Sequence, residues 1–382
     1  NTPCMRSPLK EFLGDYGTSD NSSRIVQGDL LHLDRGTIDQ VDNSTLEVLK
    51  YLAMKGGRSD HFTPKPLDVV ECQQGWKKAT ERTSSSMRIG THFGHWKAGY
   101  CHDDIAVIHT ALANIPFTSG YSPRRWQFGV NSILTKEPGN FKINRLRTIL
   151  LYEADYNFNN KLLGRRMMHH AESYDILAME QYGSRKKRTA IECALNKRLI
   201  FDILRQTKKP AGICSCDLKS CYDRIVHSFA SMAMQRAGAP PAAIESMFAT
   251  IQQLKHTVRT CHGDSTESFG GEDWRHLDPL AGVGQGNGAG PAIWAVISTV
   301  FFDLLRDKGY GFQMKAPLSK LAIHLAGCGF VDDTDLFQLG LKSDDYLEVA
   351  SKLQDALKWW EKCTQVSGGA VVPEKSWYGL VQ

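Results

Sequence analysis

Apolar positions change their spacing along the chain, and each change marks an element. Leu46, Val48, Leu49 and Leu52 predict a short helix over 44–54. It stands within residues 1–60, a stretch of mixed Gly, Ser, Asp and Asn that reads as a loosely attached extension. Residues 106–115 follow a helical period again, and Pro116 and Pro123 bracket a turn. Phe128, Val130 and Ile133 then alternate as a strand over 127–136. Glu137-Pro138-Gly139-Asn140 is a turn signal, and 147–152 predicts a second strand. Lys136 and Arg147 flank this hairpin, and helical spacing dominates from there to residue 206.

The centre of the chain carries sharper patterns. Ala211-Gly212-Ile213-Cys214-Ser215-Cys216-Asp217 is a short apolar strand ending in a carboxylate, with a helix predicted from Tyr222. Alternation puts Ile213, Ser215 and Asp217 on one face and Cys214 and Cys216 on the other. Residues 282–291 hold five glycines and lead into an apolar helix over 293–305. Such a run permits close backbone approach and opens onto a helix N-terminus. It has neither the spacing of a nucleotide-triphosphate loop nor that of a dinucleotide fold. A flexible linker is the plainer reading, and Gln285 among the glycines is what a linker does not need. Residues 321–339 read as two apolar strands with Asp332 and Asp333 in the turn between them. Adjacent carboxylates with no local cation repel each other. A hard divalent cation such as Mg²⁺ relieves that cost, while a solvated turn is the plainer alternative.

Composition narrows the classes. At 382 residues the chain exceeds one compact domain and divides as an extension (1–60), a helix and loop segment (61–122), and two larger parts (123–212 and 213–382). With 42% apolar and 23% charged residues it is an ordinary globular composition, and no apolar run is long enough for a membrane span. It opens Asn1-Thr2-Pro3-Cys4 without a charged-then-apolar leader and reads as an internal fragment. The net charge of +5 is too mild to name a partner, but its distribution is uneven. Residues 181–210 carry nine basic against two acidic residues, with Arg185, Lys186, Lys187 and Arg188 the densest group. Residues 331–362 carry eight acidic against four basic. A basic stripe and an acidic pocket suit a phosphate polymer with metal ions, and two solvated faces suit the charges equally. Ten cysteines without zinc-ligand spacing fit core packing in a reducing compartment, so an intracellular location is expected, nucleus or cytoplasm undistinguished. Residues 75–86 and the following His92 and His95 are read either as phosphate contacts or as an ordered loop over packed aromatics.

In order, these segments resemble the reverse transcriptase (RNA-directed DNA polymerase) family, in particular its non-LTR retrotransposon and group II intron-like branch. The likeness rests on Asp217-Leu218-Lys219-Ser220-Cys221-Tyr222-Asp223, on Gly284-Gln285-Gly286 with Gly290-Pro291, and on Phe330-Val331-Asp332-Asp333. Gly368-Gly369 with Lys375, the hairpin at 133–149, and Gln181-Tyr182-Gly183-Ser184 followed by Arg188 extend it over roughly 125–380. The resemblance implies an α+β right-hand polymerase with fingers and an antiparallel palm, the thumb missing because the chain stops soon after Lys375. It implies that Asp217, Asp332 and Asp333 are catalytic. With the Leu218 carbonyl they hold two Mg²⁺ ions, for which Mn²⁺ can substitute. Lys136, Arg147, Tyr222, Gln285, Gly286 and Lys375 then contact a deoxynucleoside triphosphate, with Tyr222 excluding a ribose 2′-hydroxyl. Arg185, Lys186, Lys187 and Arg188 contact an RNA or DNA template with its primer, and no membrane is involved.

The chain departs from the family at Gly284, where Pro is common, at Gly290, where Ser is common, and at Thr148, where the second fingers strand usually has Pro. Three alternatives stand beside the resemblance. A viral RNA-dependent RNA polymerase shares the aspartates but wants Ser-Gly, Thr and Asn where Gln285-Gly286 stand. A degenerate, catalytically silent retroelement remnant that only binds nucleic acid need not keep the Asp217, Asp332 and Asp333 set. An unrelated metal-dependent hydrolase lacks this order of motifs.

Overall fold

The computed structural model describes residues 3–5, 9–30, 39–54, 65–80, 91–271, 281–316, 318–341 and 344–381. Among them the strands run in chain order as β1 (Phe128–Thr135), β2 (Leu146–Leu151), β3 (Ala211–Cys216), β4 (Lys255–Thr260), β5 (Gly263–Asp264) and β6 (Phe269–Gly270). They continue as β7 (Phe312–Lys315), β8 (Ala322–Leu325), β9 (Gly327–Phe330), β10 (Asp333–Leu339) and β11 (Trp377–Val381). Helices and sheets together make an α+β fold. Two compact units divide the chain, each from separate segments: 1–59, 168–237 and 291–382 in one, 60–167 and 238–290 in the other.

The unit that contains Asp217 is built on an antiparallel sheet in the order β11-β3-β10-β9. β3 is central and buried along almost its whole length, as its apolar run requires. The helix Tyr346–Ser367 packs against β3 and β10, and Val349, Leu353, Ala356, Trp360 and Cys363 make its buried stripe at helical spacing, with Trp360 against Phe301 and Phe302. It starts at a reciprocal cap between Asp345 and Glu348 and stops at Gly368, whose φ of 105° is left-handed. Cys193, Ile200 and Leu204 of the helix Ala190–Thr207 share a core with Ile213, Cys328 and Phe337. The helix Gly290–Asp307 is buried nearly all round through Ile293, Trp294, Ile297, Val300, Phe301, Phe302 and Leu304. Each such side chain contributes about 1.5–3 kcal/mol when buried, which outweighs the weak helix propensity of its β-branched and aromatic residues. Asp303 is buried in that helix between Arg236 and Arg306, and Arg306 also reaches the buried Glu180.

Three expectations are corrected in this unit. The described residues of 1–60 are not loosely attached. They belong to the core: Leu13, Ile25, Val48 and Leu52 are fully buried, and the Gly17 carbonyl accepts a 2.8 Å hydrogen bond from Gln235. None of the described apolar residues there is fully exposed, and about half are buried. The apolar stretch before Asp332 is two strands rather than one, since β8 pairs with β7 and only β9 pairs with β10. The helix from Tyr222 is a single turn, Cys221–Arg224, separated from the helix His227–Arg236 by extended backbone.

In the other unit β1 and β2 form the expected antiparallel hairpin, with Leu134 opposite Arg147. β1 also pairs in parallel with β4, a contact between residues more than a hundred positions apart. That pairing is why the division at residue 212 does not hold: 238–290 join this unit, and 168–212 join the unit of Asp217. Trp76 is buried, stacked on Phe158 at 4.1 Å and flanked by Trp96 and Tyr100. Residues 81–86 of the hydroxyl-rich run lie outside the described residues. His92 and His95 form a reciprocal cap on the helix Phe93–Gly99, so both rings serve local structure. Among the described residues no helix is long and apolar enough to cross a membrane.

Candidate active site

The strand register brings the carboxylates together. Thr334 of β10 lies opposite Cys216 of β3, so Asp217 and Asp333 follow at neighbouring strand ends. Directly opposed residues in an antiparallel pair have Cα atoms about 4.5–5.5 Å apart. Asp332 precedes Asp333 in the tight β9–β10 turn. It is half-buried, and its carboxyl is held above the usual range by burial first and then by the charges of Asp333 and Asp217, against a lowering backbone hydrogen bond.

Residues 370–376 fix the segment that leaves β3. The Asp217 carbonyl accepts from Val372 N–H at 2.9 Å, and its own N–H donates to Ser376 Oγ at 3.2 Å. Leu218 forms a bridge with Val371. Lys375 Nζ stands 3.1 Å from Asp217 Oδ2 as an ion pair, yet that oxygen is shielded from solvent and accepts no aligned hydrogen bond. Tyr222, half-buried, follows Ser220, whose φ of 47° is left-handed. Its hydroxyl is pushed up by burial first and then by the fields of Cys221 and Asp332.

In the other unit the glycine run is pinned rather than slack. Leu150 N–H donates to the Gln285 carbonyl at 2.8 Å, Tyr152 Oη to the Val283 carbonyl at 2.9 Å, and Asn157 Nδ2 to the Gly286 carbonyl at 2.9 Å. Gly286 has φ 131°, and a Cβ there would run into the Leu150 carbonyl. Gln285 is half-buried and Gly286 exposed. Lys136 and Arg147 are exposed at the end of their hairpin, where Lys136 N–H donates to the Arg145 carbonyl at 3.0 Å.

The profile of the family described as Reverse transcriptase (RNA-dependent DNA polymerase) matches residues 135–378, more than half of the chain. The chain belongs to the reverse transcriptase family. No curated protein matches it. As a reverse transcriptase it is expected to act on nucleotides and a nucleic acid template, and the acidic strand ends are where the family's chemistry is sought.

The donor set at those strand ends is all oxygen, with one buried carboxylate oxygen lacking an aligned donor and a second carboxyl raised by burial and then by its acidic neighbours. That chemistry fits a hard divalent cation. Among the described residues no three His, Cys, Asp or Glu side chains close into a ready metal-holding cluster. Asp217, Asp332, Asp333, the Leu218 backbone, Tyr222 and Lys375 lie in one unit, while Lys136, Arg147, Gln285 and Gly286 lie in the other.

The basic group departs from its expectation at Arg185. Its guanidinium is almost buried, paired with Glu172 at 2.7 Å and donating to the Ala178 and Gln181 carbonyls. Burial with a carboxylate and two carbonyls makes it a structural cation, unavailable to phosphate. Arg188 lies 5.2 Å over the Tyr182 ring, whereas Lys186 and Lys187 are exposed. Further along, Lys197 pairs with Asp335, and Arg198 and Arg205 with Asp202.

The backbone of the acidic turn carries no signal in the sequence. Val331 has φ 61°, a left-handed conformation that is an outlier for a β-branched residue, and nothing in a Val announces it.

Proposed function

We propose that this reverse transcriptase domain carries out template-directed nucleotidyl transfer at Asp217, Asp332 and Asp333, with two bound Mg²⁺ ions and a retroelement origin. The observation that carries this reading is the register that brings Asp217 and Asp333 to neighbouring strand ends, with Asp332 in the adjoining turn and Lys375 paired with Asp217. Two divalent ions supply, when bound, charge neutralisation and an activated primer oxygen. Asp217 and Asp332 would hold them, with the Leu218 carbonyl beside them and Asp333 at the rim.

The remaining residues bind and orient. Lys375, exposed at its tip and paired with Asp217, is free to swing towards a triphosphate once a cation takes over that carboxylate. Lys136 and Arg147 on the hairpin of the other unit would neutralise phosphate charge, a task of positioning and electrostatics. Gln285 and Gly286, on a pinned loop, offer backbone and amide to a nucleotide. Lys186, Lys187 and Arg188 would contact the template, while Arg185 is taken up by Glu172. By this reading the unit with the acidic sheet is the palm and the other unit the fingers.

Tyr222 gives the sharpest test. By this reading the Tyr222 ring, five residues after Asp217, leaves no room for a 2′-hydroxyl on the sugar, so selection works by added clash. In primer extension, Tyr222→Ala should incorporate ribonucleotides while retaining deoxynucleotide incorporation, and Asp332→Ala should abolish both. Tyr222→Ala with unchanged discrimination would remove the gate. An active Asp332→Ala would remove the assignment of the site.

A further inference from the structure

The residue before Asp332 is held in its left-handed conformation by one side chain. Gln181 Oε1 accepts from Val331 N–H at 3.0 Å, and Gln181 Nε2 donates to the Val331 carbonyl at 3.1 Å. A single carboxamide thus satisfies both polar groups of the strained residue. Trp294 Nε1 donates to the same carbonyl at 2.6 Å, and both Gln181 and Trp294 are buried.

Gln181 is itself locked. Its Oε1 also accepts from Gly183 N–H at 2.8 Å, its Nε2 also donates to Ser298 Oγ at 3.0 Å, and its backbone bridges Gly329 of β9. Gly183 lies so close to Val331 that a Cβ there would clash with the Val331 backbone. Every donor and acceptor of the carboxamide is therefore occupied, and two of its four hydrogen bonds go to Val331. The Val331 carbonyl belongs to the peptide plane whose N–H is that of Asp332. Fixing that plane fixes the direction in which the Asp332 side chain leaves the turn.

We propose that Gln181, supported by Trp294, is a positioning residue for nucleotidyl transfer: it clamps Val331 in the left-handed conformation and so sets where the Asp332 carboxyl stands. This rests on the reading of Asp332 as catalytic. Strained backbone persists only where its surroundings over-determine it, and here the determinant is one amide with a tryptophan behind it. The clamp touches neither nucleotide nor metal.

The test uses the full chain with Gln181→Leu, Trp294→Phe, Val331→Gly and the double variant Gln181→Leu/Val331→Gly. Peptide-resolved hydrogen exchange over residues 330–334, without nucleotide or metal, reads the clamp. Primer extension at varied deoxynucleotide and Mg²⁺ reads the reaction. Gln181→Leu should speed exchange and lower kcat roughly 10- to 100-fold, as a misplacement of about an ångström does, with little change in KM. Val331→Gly should restore most of that kcat in the Gln181→Leu background, because glycine takes φ above zero without steric cost. Trp294→Phe should move both readouts the same way by less, and it serves as the test should Gln181→Leu fail to fold.

Unchanged exchange and kcat in a folded Gln181→Leu or Trp294→Phe would overturn the proposal. So would a double variant with the melting temperature of Gln181→Leu but no recovery of kcat. Faster exchange with unchanged kcat also overturns it, and Asp332→Ala assayed alongside shows whether the catalytic reading has failed with it.

Discussion

Asp303 and Asp332 both lose water within the same unit, and the protein treats them in opposite ways. Asp303 is buried between two arginines, Arg236 and Arg306, and Arg306 ties in Glu180, whose Oε1 accepts from Ala326 N–H at 3.0 Å. Asp332 shares its neighbourhood with two further carboxylates, and Lys375 is paired with one of them, Asp217. The unit has the means to compensate a buried acid and withholds them at the strand ends. What is paired holds the fold, and what is left unpaired is available for a ligand. In the other unit His256 shows a third solution: buried against Phe269 with Asn131 on Nδ1, it gives up its charge, its value pulled down to about 4 by burial.

Substitutions that exchange these solutions test the contrast. The largest effect is expected for Asp332→Ala, which should lower primer-extension rate by about 10³-fold or more, since a cation site supplies several kcal/mol. Its melting temperature should not fall, because the change removes repulsion. Next comes Arg236→Met, which leaves Asp303 buried with one partner fewer. Breaking a buried pair costs about 3–5 kcal/mol, to be read as a drop in denaturant midpoint. An Arg236→Met variant as stable as the parent would end the distinction between the two acids.

His256 predicts a pH dependence. Its folded value lies below its unfolded one, so its contribution is complete above about 6.5 and declines as pH falls towards 4, where the unfolded chain takes up a proton that the folded chain refuses. Over that window the loss is on the order of 1–3 kcal/mol, and His256→Gln should flatten the midpoint-against-pH curve there. Smallest is Lys375→Met. An exposed pair contributes under about 1 kcal/mol, so stability should barely move. A large loss would mean that Lys375 belongs with the arginines, as structural compensation.

Much of this was readable in the chain. The hairpin at Lys136 and Arg147, the strand ending at Asp217 and the turn at Asp332 are local patterns whose period and turn residues lie within a few positions of one another. What escaped is long-range or conformational. Gly17 against Gln235, Lys362 against Asp42 and β1 beside β4 join residues far apart in sequence, and no periodicity encodes such partners. Arg185 reads as one of four like cations until Glu172 is seen beside it. Val331 reads as an ordinary apolar strand residue in a hydrophobicity pattern, yet its backbone is left-handed.

The helix Tyr346–Ser367 has a further consequence. It is closed at one end by the Asp345–Glu348 cap and at the other by Gly368, whose Cβ-less backbone passes against the Arg224 carbonyl. A helix stopped at both ends is a ruler. Each residue adds about 1.5 Å along the axis and rotates the chain about it by about 100°, so one residue more or less would swing 370–376 off the wall of Asp217. Its length is therefore as much a part of the site as the carboxylates, and relatives of this domain should vary in length outside the two stops and not between them.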